Sequence, residues 1–163
     1  KSLLKKNFRT VRITPTCFNG TTDAIGEVLF NPTEIKNAVA HNGGAALLKS
    51  ITVIDFDDNT SDPIDLYFFQ LGTNDLGTLG DAIDITDAEL ITNKILGHVA
   101  TLGVADTKIG DMVLSRVSTT DAIDLVVQAE NGSSSIFVAG ACRTDETVST
   151  TSGLELVFGF EQL

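Results

Sequence analysis

The chain has no tryptophan, one tyrosine (Tyr67), one methionine (Met112), two histidines and two cysteines in its 163 residues. Each shortage removes a class of reading. With no Trp and a single Tyr, the aromatic platforms on which sugars stack are scarce. The histidines are His41, before Asn42-Gly43-Gly44, and His98, within an apolar run. Neither lies near a G-x-S-x-G elbow, so nucleophilic catalysis through a histidine base has little to draw on. Cys17 and Cys142 occur in no family signature and read as buried free thiols, because Cys packs as a small hydrophobe and nothing here demands an oxidising compartment. A bridge between them would need Cα atoms within about 7 Å. The phosphate-cradling glycine patterns G-x-x-x-x-G-K-[ST] and G-x-G-x-x-G after a strand are missing. No apolar run approaches the roughly 18 residues of a membrane-spanning helix. The opening cations lack a following apolar stretch, since Asn7, Arg9 and Arg12 interrupt it, so the chain is expected to be soluble and without a secretion signal.

What is there begins with charge. Lys1, Lys5, Lys6, Arg9 and Arg12 give the first twelve residues +5 with no acid, while the remainder carries −16, for a net −11. A division this sharp speaks of interaction rather than fold. It predicts a basic N-terminal arm over 1–14 and a single domain over 15–163. The 42% apolar content supports a core rather than disorder. That core draws on nine Phe and many β-branched residues, which favour strands.

Short apolar runs separated by turn clusters predict strands at 10–14, 25–30, 35–41, 46–56, 64–71, 95–102, 111–118, 122–130, 135–143 and 154–160. In 154–160, Leu154, Leu156, Phe158 and Phe160 alternate with Glu155, Val157 and Gly159, as a half-buried strand requires. Tyr67-Phe68-Phe69 breaks such alternation, so its strand is either covered on both faces or part of an interface. Residues 85–95 predict a helix, because Thr86 and Glu89 have capping-box spacing. The fold class is therefore all-β: a two-sheet antiparallel β-sandwich, with the jelly roll as one candidate topology, a short helix near 86–94 and an extended N-terminal arm.

Three constellations invite chemical readings. The acidic run Asp55-Phe56-Asp57-Asp58-Asn59-Thr60-Ser61-Asp62 could offer oxygens to a hard cation. It departs from the EF-hand pattern, with Thr60 where the sharp-turn Gly belongs and Leu66 where the bidentate Glu belongs, and reads better as a solvated hairpin loop. The pairs Asp81/Asp84 and Asp121/Asp124 could suggest glycosidase carboxylates, but Asp before a strand is ordinary turn chemistry. His98 reads as a satisfied strand histidine. No catalytic residue, metal ligand or cofactor is expected. The candidate partner-binding residues are Lys5, Lys6, Phe8, Arg9 and Arg12 of the basic segment. Nucleic acid is a poor partner, because a −16 body repels a polyanion and Phe8 alone could stack on bases. An acidic protein surface, another copy of this chain included, is the alternative, and a frayed terminus is the plain one.

From Asn37-Ala38-Val39-Ala40-His41-Asn42-Gly43-Gly44 through Leu48-Lys49-Ser50-Ile51-Thr52-Val53-Ile54-Asp55-Phe56-Asp57-Asp58, the chain resembles small virion proteins of tailed bacteriophages. Ile64–Phe69, Asp84–Ala88, Lys94–Val99, Ser134–Ala139 and Ser152–Leu156 extend the resemblance over about residues 24–160. Order and spacing carry it rather than one diagnostic motif. The resemblance implies a non-enzymatic capsid decoration or cement protein, a homo-oligomer on the virion exterior whose partners are the major capsid protein and its own copies. The resemblance further implies synthesis in the host cytoplasm and no membrane partner. The basic segment is less typical of that family, so its docking role rests on charge. The alternative function is a carbohydrate- or receptor-binding sandwich of a phage fibre or tail.

Overall fold

A computed structural model describes residues 6–21, 25–56, 63–101, 107–110, 112–117, 123–144, 147–148 and 150–163. Among the described residues, twelve strands and one helix follow in chain order: β1 (Asn7–Ile13), β2 (Gly20–Thr21), β3 (Val28–Ile35), β4 (Ala45–Asp55), β5 (Ile64–Phe69), α1 (Asp87–Asn93), β6 (Ile95–Ala100), β7 (Thr107–Ile109), β8 (Met112–Arg116), β9 (Leu125–Gln128), β10 (Ile136–Cys142), β11 (Thr147–Val148) and β12 (Leu154–Gln162). One sheet runs β1-β12-β4-β8-β7 with β9 also on β4, the second runs β3-β10-β5-β6, and β2 and β11 form a small separate pair. Every neighbouring pair is antiparallel.

The topology follows from the length of β4. β12 pairs along one edge of it, and the other edge is shared by β8 against Thr52–Asp55 and β9 against Ala45–Leu48. β8 and β9 thus occupy one strand position. The eight principal strands then read 1-8-3-6 in one sheet and 2-7-4-5 in the other, with every connection except β5 to β6 passing between sheets. That interleaving is a jelly roll, two Greek keys folded over each other.

The core lies between the sheets. Leu154, Leu156, Phe158 and Phe160 of β12 alternate inward as their spacing predicts, opposite Ile51, Val53 and Leu48 of β4 and facing Phe68, Leu66 and Val138 of the second sheet. Phe158 meets Phe68 edge to face at 5.9 Å between ring centroids and 83° between planes, the geometry the ring quadrupoles favour. A bulge on β4 places Lys49 between the pairs Phe160–Leu48 and Gly159–Ser50. It lets Leu48 and Ile51 both reach the core although they lie three positions apart, an odd spacing that plain alternation would put on opposite faces.

The second sheet is covered on both faces, which resolves the apolar run Tyr67-Phe68-Phe69. Leu66 and Phe68 enter the main core, whereas Tyr67 and Phe69 pack outward with Leu76, Leu79, Ile83, Ile85 and Leu90. Those residues belong to the long connection from β5 to β6. Two asparagines bind that connection to the sandwich. Asn31 accepts from Leu76 N at 2.9 Å and donates to Gly77 O at 2.9 Å. Buried Asn93 accepts from Asn74 N at 2.9 Å and donates to Asn74 O at 2.8 Å. Helix α1 begins at the predicted capping box: Thr86 Oγ1 accepts from Glu89 N, and the Glu89 carboxylate accepts from Thr86 N at 2.8 Å.

Two expectations change. Residues 35–41 are not a strand: β3 ends at Ile35, Asn37 turns the chain at φ 55°, and Ala38 and Val39 are buried by that turn rather than by alternation. Gln162 holds the turn, its Nε2 donating to Asn37 O at 3.0 Å and Ala38 O at 3.2 Å. The segment expected as a basic arm is divided. Residues 7–13 are β1, paired throughout with β12 from Asn7–Gln162 to Ile13–Leu156, and so belong to the sandwich; residues 1–5 lie outside the described residues. The physical reason is that Val11 and Ile13 pack on the core while Phe8, Thr10 and Arg12 line the outer side, an alternation that the cations obscure in the sequence.

Candidate functional site

β1 is the outermost strand of its sheet and carries three of the five predicted partner-binding residues, Phe8, Arg9 and Arg12; Lys5 lies outside the described residues. Lys6 stands just before it. Its ammonium lies 3.3 Å from the Glu161 carboxylate, and the Arg12 guanidinium pairs with Glu155, both acids being on β12. Both cations are mostly exposed, and exposed pairs of this kind contribute only about 0–1 kcal/mol. They can therefore be re-partnered at little cost. Arg9, exposed on the opposite side of the strand, makes no ion pair among the described residues. Phe8 is 65% exposed, a large aromatic side chain left in water between Lys6 and Arg9. The edge thus combines backbone groups that pair with no further strand among the described residues, exposed cations and one apolar anchor, the elements by which an exposed strand engages another protein.

The other residues singled out by chemistry are placed as follows. His98 on β6 sits 2.6 Å from the Asp65 carboxylate on β5 through Nε2, with its ring 5.2 Å from that of Tyr67. Arg143 approaches the same carboxylate at 3.7 Å. Burial raises the Tyr67 hydroxyl above the usual phenol pKa, the Asp65 charge adds to that, and Arg143 opposes it. His98 is thus partnered within the sheet, as expected of a strand histidine. His41 is exposed at the turn where Gly43 takes φ 71°. Asp124 pairs with Lys49, and that hydrogen bond raises the lysine above its ordinary pKa. Asp121 and residues 57–62 of the acidic run lie outside the described residues, so the pairing of Asp121 with Asp124 and the cation reading of that run do too. Cys17 and Cys142 are both buried. Among the described residues no cluster of three His, Cys, Asp or Glu side chains could hold a metal ion.

Two hollows flank the β5–β6 connection. A polar cleft of about 460 Å³ lies among Asn31, Asn74, Asp75, Asp84 and Glu89. A smaller apolar pocket of about 160 Å³ opens over β5, between Tyr67, Phe69, Ile85, Leu90 and Ile95. Sequence reasoning on function touched these hollows only through Asp84, in the Asp81/Asp84 pair, and through Tyr67 and Phe69, and did not bring their linings together as a site. Two signals for them were present: the unbroken apolar run at Tyr67-Phe68-Phe69, and a stretch from Gln70 to Asn93 with five acids and no cation.

Compared with models of protein families and with curated protein sequences, the chain has no match.

Proposed function

We propose that this chain is a non-enzymatic structural protein of a tailed-phage virion, one that decorates the outside of the capsid and stabilises the shell. The observation that carries the reading is a jelly roll whose exposed edge strand holds the basic segment. Jelly rolls serve as viral capsid and lectin domains, an analogy of fold alone, and the sequence resemblance to small virion proteins points the same way. The edge supplies Phe8 and Arg9 as free docking groups, with Lys6 and Arg12 held only by exposed pairs. A protein that binds the assembled shell and not its dissociated subunits stabilises the shell by mass action.

The competing reading, a carbohydrate- or receptor-binding sandwich of a fibre or tail, draws on the polar cleft. Its Asn31, Asn74 and Glu89 already bond to neighbouring groups of the chain, and no aromatic ring is among its lining residues.

Removing residues 1–12 would strip β12 of one of its two partner strands, so truncation tests folding as well as docking. The clean perturbation is Arg9→Glu. Phage heads lacking the protein are incubated with purified wild type or variant, and bound copies are measured by co-sedimentation and imaging of the heads. The expected result is saturable, salt-sensitive decoration of the exterior by wild type and at least about tenfold weaker binding by Arg9→Glu, as the loss of one charge contact worth about 1.4 kcal/mol implies. Absence of binding to heads, or a reproducible glycan-array hit abolished by Asp75→Ala, would overturn the reading.

A further inference from the structure

The exposed Phe8 and the apolar pocket over β5 are, we propose, the two halves of one self-association contact, in which Phe8 of one copy seats in the pocket of the next. This deepens the reading of the basic edge as a docking element and rests on it.

Size, chemistry and charge agree. The pocket holds about 160 Å³ and is lined by Tyr67, Phe69, Leu76, Ile85, Leu90 and Ile95. Apolar cavities of roughly 150 Å³ take up a single benzene ring. Ile95 is 51% exposed at its wall and Ile91 stands exposed on α1. The mouth is therefore an apolar surface that water covers poorly. Phe8 presents a phenyl ring of matching size, 65% exposed at the outer edge of the other sheet.

The electrostatic match is independent of shape. The segment from Gln70 to Asn93 that supplies most of the pocket contains Asp75, Asp81, Asp84, Asp87 and Glu89 and no Lys, Arg or His. None of the five forms an ion pair among the described residues. The segment around Phe8 has the inverse composition, five cations and no acid in twelve residues. A phenyl ring flanked by cations is thus matched to a phenyl-sized pocket built largely from a segment that carries acids and no cation. Knob and pocket lie on different sheets, the edge of the first and the outer face of the second, so the contact is head to tail. Such a contact closes into a ring if its rotation permits and otherwise propagates.

The test is sedimentation velocity over a concentration series with the full chain, at about 10 mM salt, where the Debye length is about 30 Å, and at about 1 M, where it is about 3 Å. Wild type should associate with rising concentration, at least tenfold more weakly at high salt. Phe8→Ala removes the knob and Ile95→Glu puts a charge at the pocket wall. Both positions are exposed, and circular dichroism melts confirm that each variant is folded. Each variant alone should sediment as a monomer. Mixed, they should form a 1:1 dimer, because one retains the pocket and the other the knob. A monomeric wild type at low salt, undiminished association of Phe8→Ala, or a mixture that stays monomeric would each overturn the proposal. No phage head enters this measurement, so its failure leaves shell binding by Arg9 and its neighbours to be judged separately.

Discussion

Replacing Gly140 by alanine should cost far more than one methyl group ordinarily does. Gly140 lies on β10 directly opposite Phe30 of β3, at an irregularity where the register shifts on either side. A Cβ built there would stand 2.3 Å from Phe30 Cε1, 2.7 Å from Cζ and 2.9 Å from Cδ1. Carbon atoms rest at about 3.5–4.0 Å, so the ring would have to withdraw by more than about 1 Å. It has nowhere to go: Phe30 is wholly buried, among residues packed as densely as an organic crystal. Overpacking of this kind costs about 1–3 kcal/mol, and the rigidity of an aromatic ring places Gly140→Ala in the upper half of that range. At about 2 kcal/mol the melting temperature should fall by roughly 4–8 °C for a chain of this size. In urea the midpoint should drop with the slope unchanged, since the surface exposed on unfolding is the same. The decisive control is Phe30→Leu, which removes the two closest ring atoms. Alone it should cost about 1–2 kcal/mol; combined with Gly140→Ala it should cost little more, giving a coupling of at least about 1 kcal/mol. A Gly140→Ala protein within about 0.5 kcal/mol of wild type, or strict additivity in the double variant, would refute the packing of β10 against β3.

Thr86→Ala should destabilise the start of α1 by about 1 kcal/mol, seen as faster amide exchange in residues 87–90 while the sandwich stays protected. Hydrogen bonds from the Thr86 backbone and hydroxyl hold the Glu89 carboxyl below its ordinary pKa, so its contribution is complete above the unfolded value and is lost as pH falls through the lower folded value. An NMR titration of Glu89 should show that depression in wild type and a rise towards the ordinary value in Thr86→Ala. Cys17 and Cys142 should be inert to a thiol reagent in the native protein and both react in denaturant without reductant; failure to react there would mean that they are joined.

Where the chain obeys simple periodicity, its structure could be read directly. The alternation of Leu154, Leu156, Phe158 and Phe160, and the capping box of Thr86 and Glu89, are local patterns with local causes. Three features were hidden for physical reasons. The bulge at Lys49 puts Leu48 and Ile51 on one side, so β4 has no single period to detect. Ala38 and Val39 are apolar because a turn carries them into the core, which mimics a strand in composition alone. β1 looked like a free arm because Lys6, Arg9 and Arg12 interrupt its apolar residues, yet charge on an outer strand is how sheets guard their edges. Half of the candidate site was legible, since a cation-flanked Phe8 with no helical pattern around it predicts exposure. The pocket was not, because its walls come from β5, β6 and a connection folded back over them.

The pairing of β1 with β12 sets a schedule for making the protein. Asn7 and Gln162 are partners across 155 positions of sequence. During synthesis β1 therefore emerges early and waits without its neighbour until residues 154–162 have left the ribosome. Such distant pairings make folding slow, on the millisecond to second scale, because a long loop must close before the strands reward it. Throughout that interval the strand is an orphan that could template against other nascent chains. Its cations make it a poor template, since two copies meeting edge to edge would bring like charges together, whereas Glu155 and Glu161 of β12 supply the opposite sign for Arg12 and Lys6. The charges that mark the finished edge thus also select its partner while the chain is still unfinished.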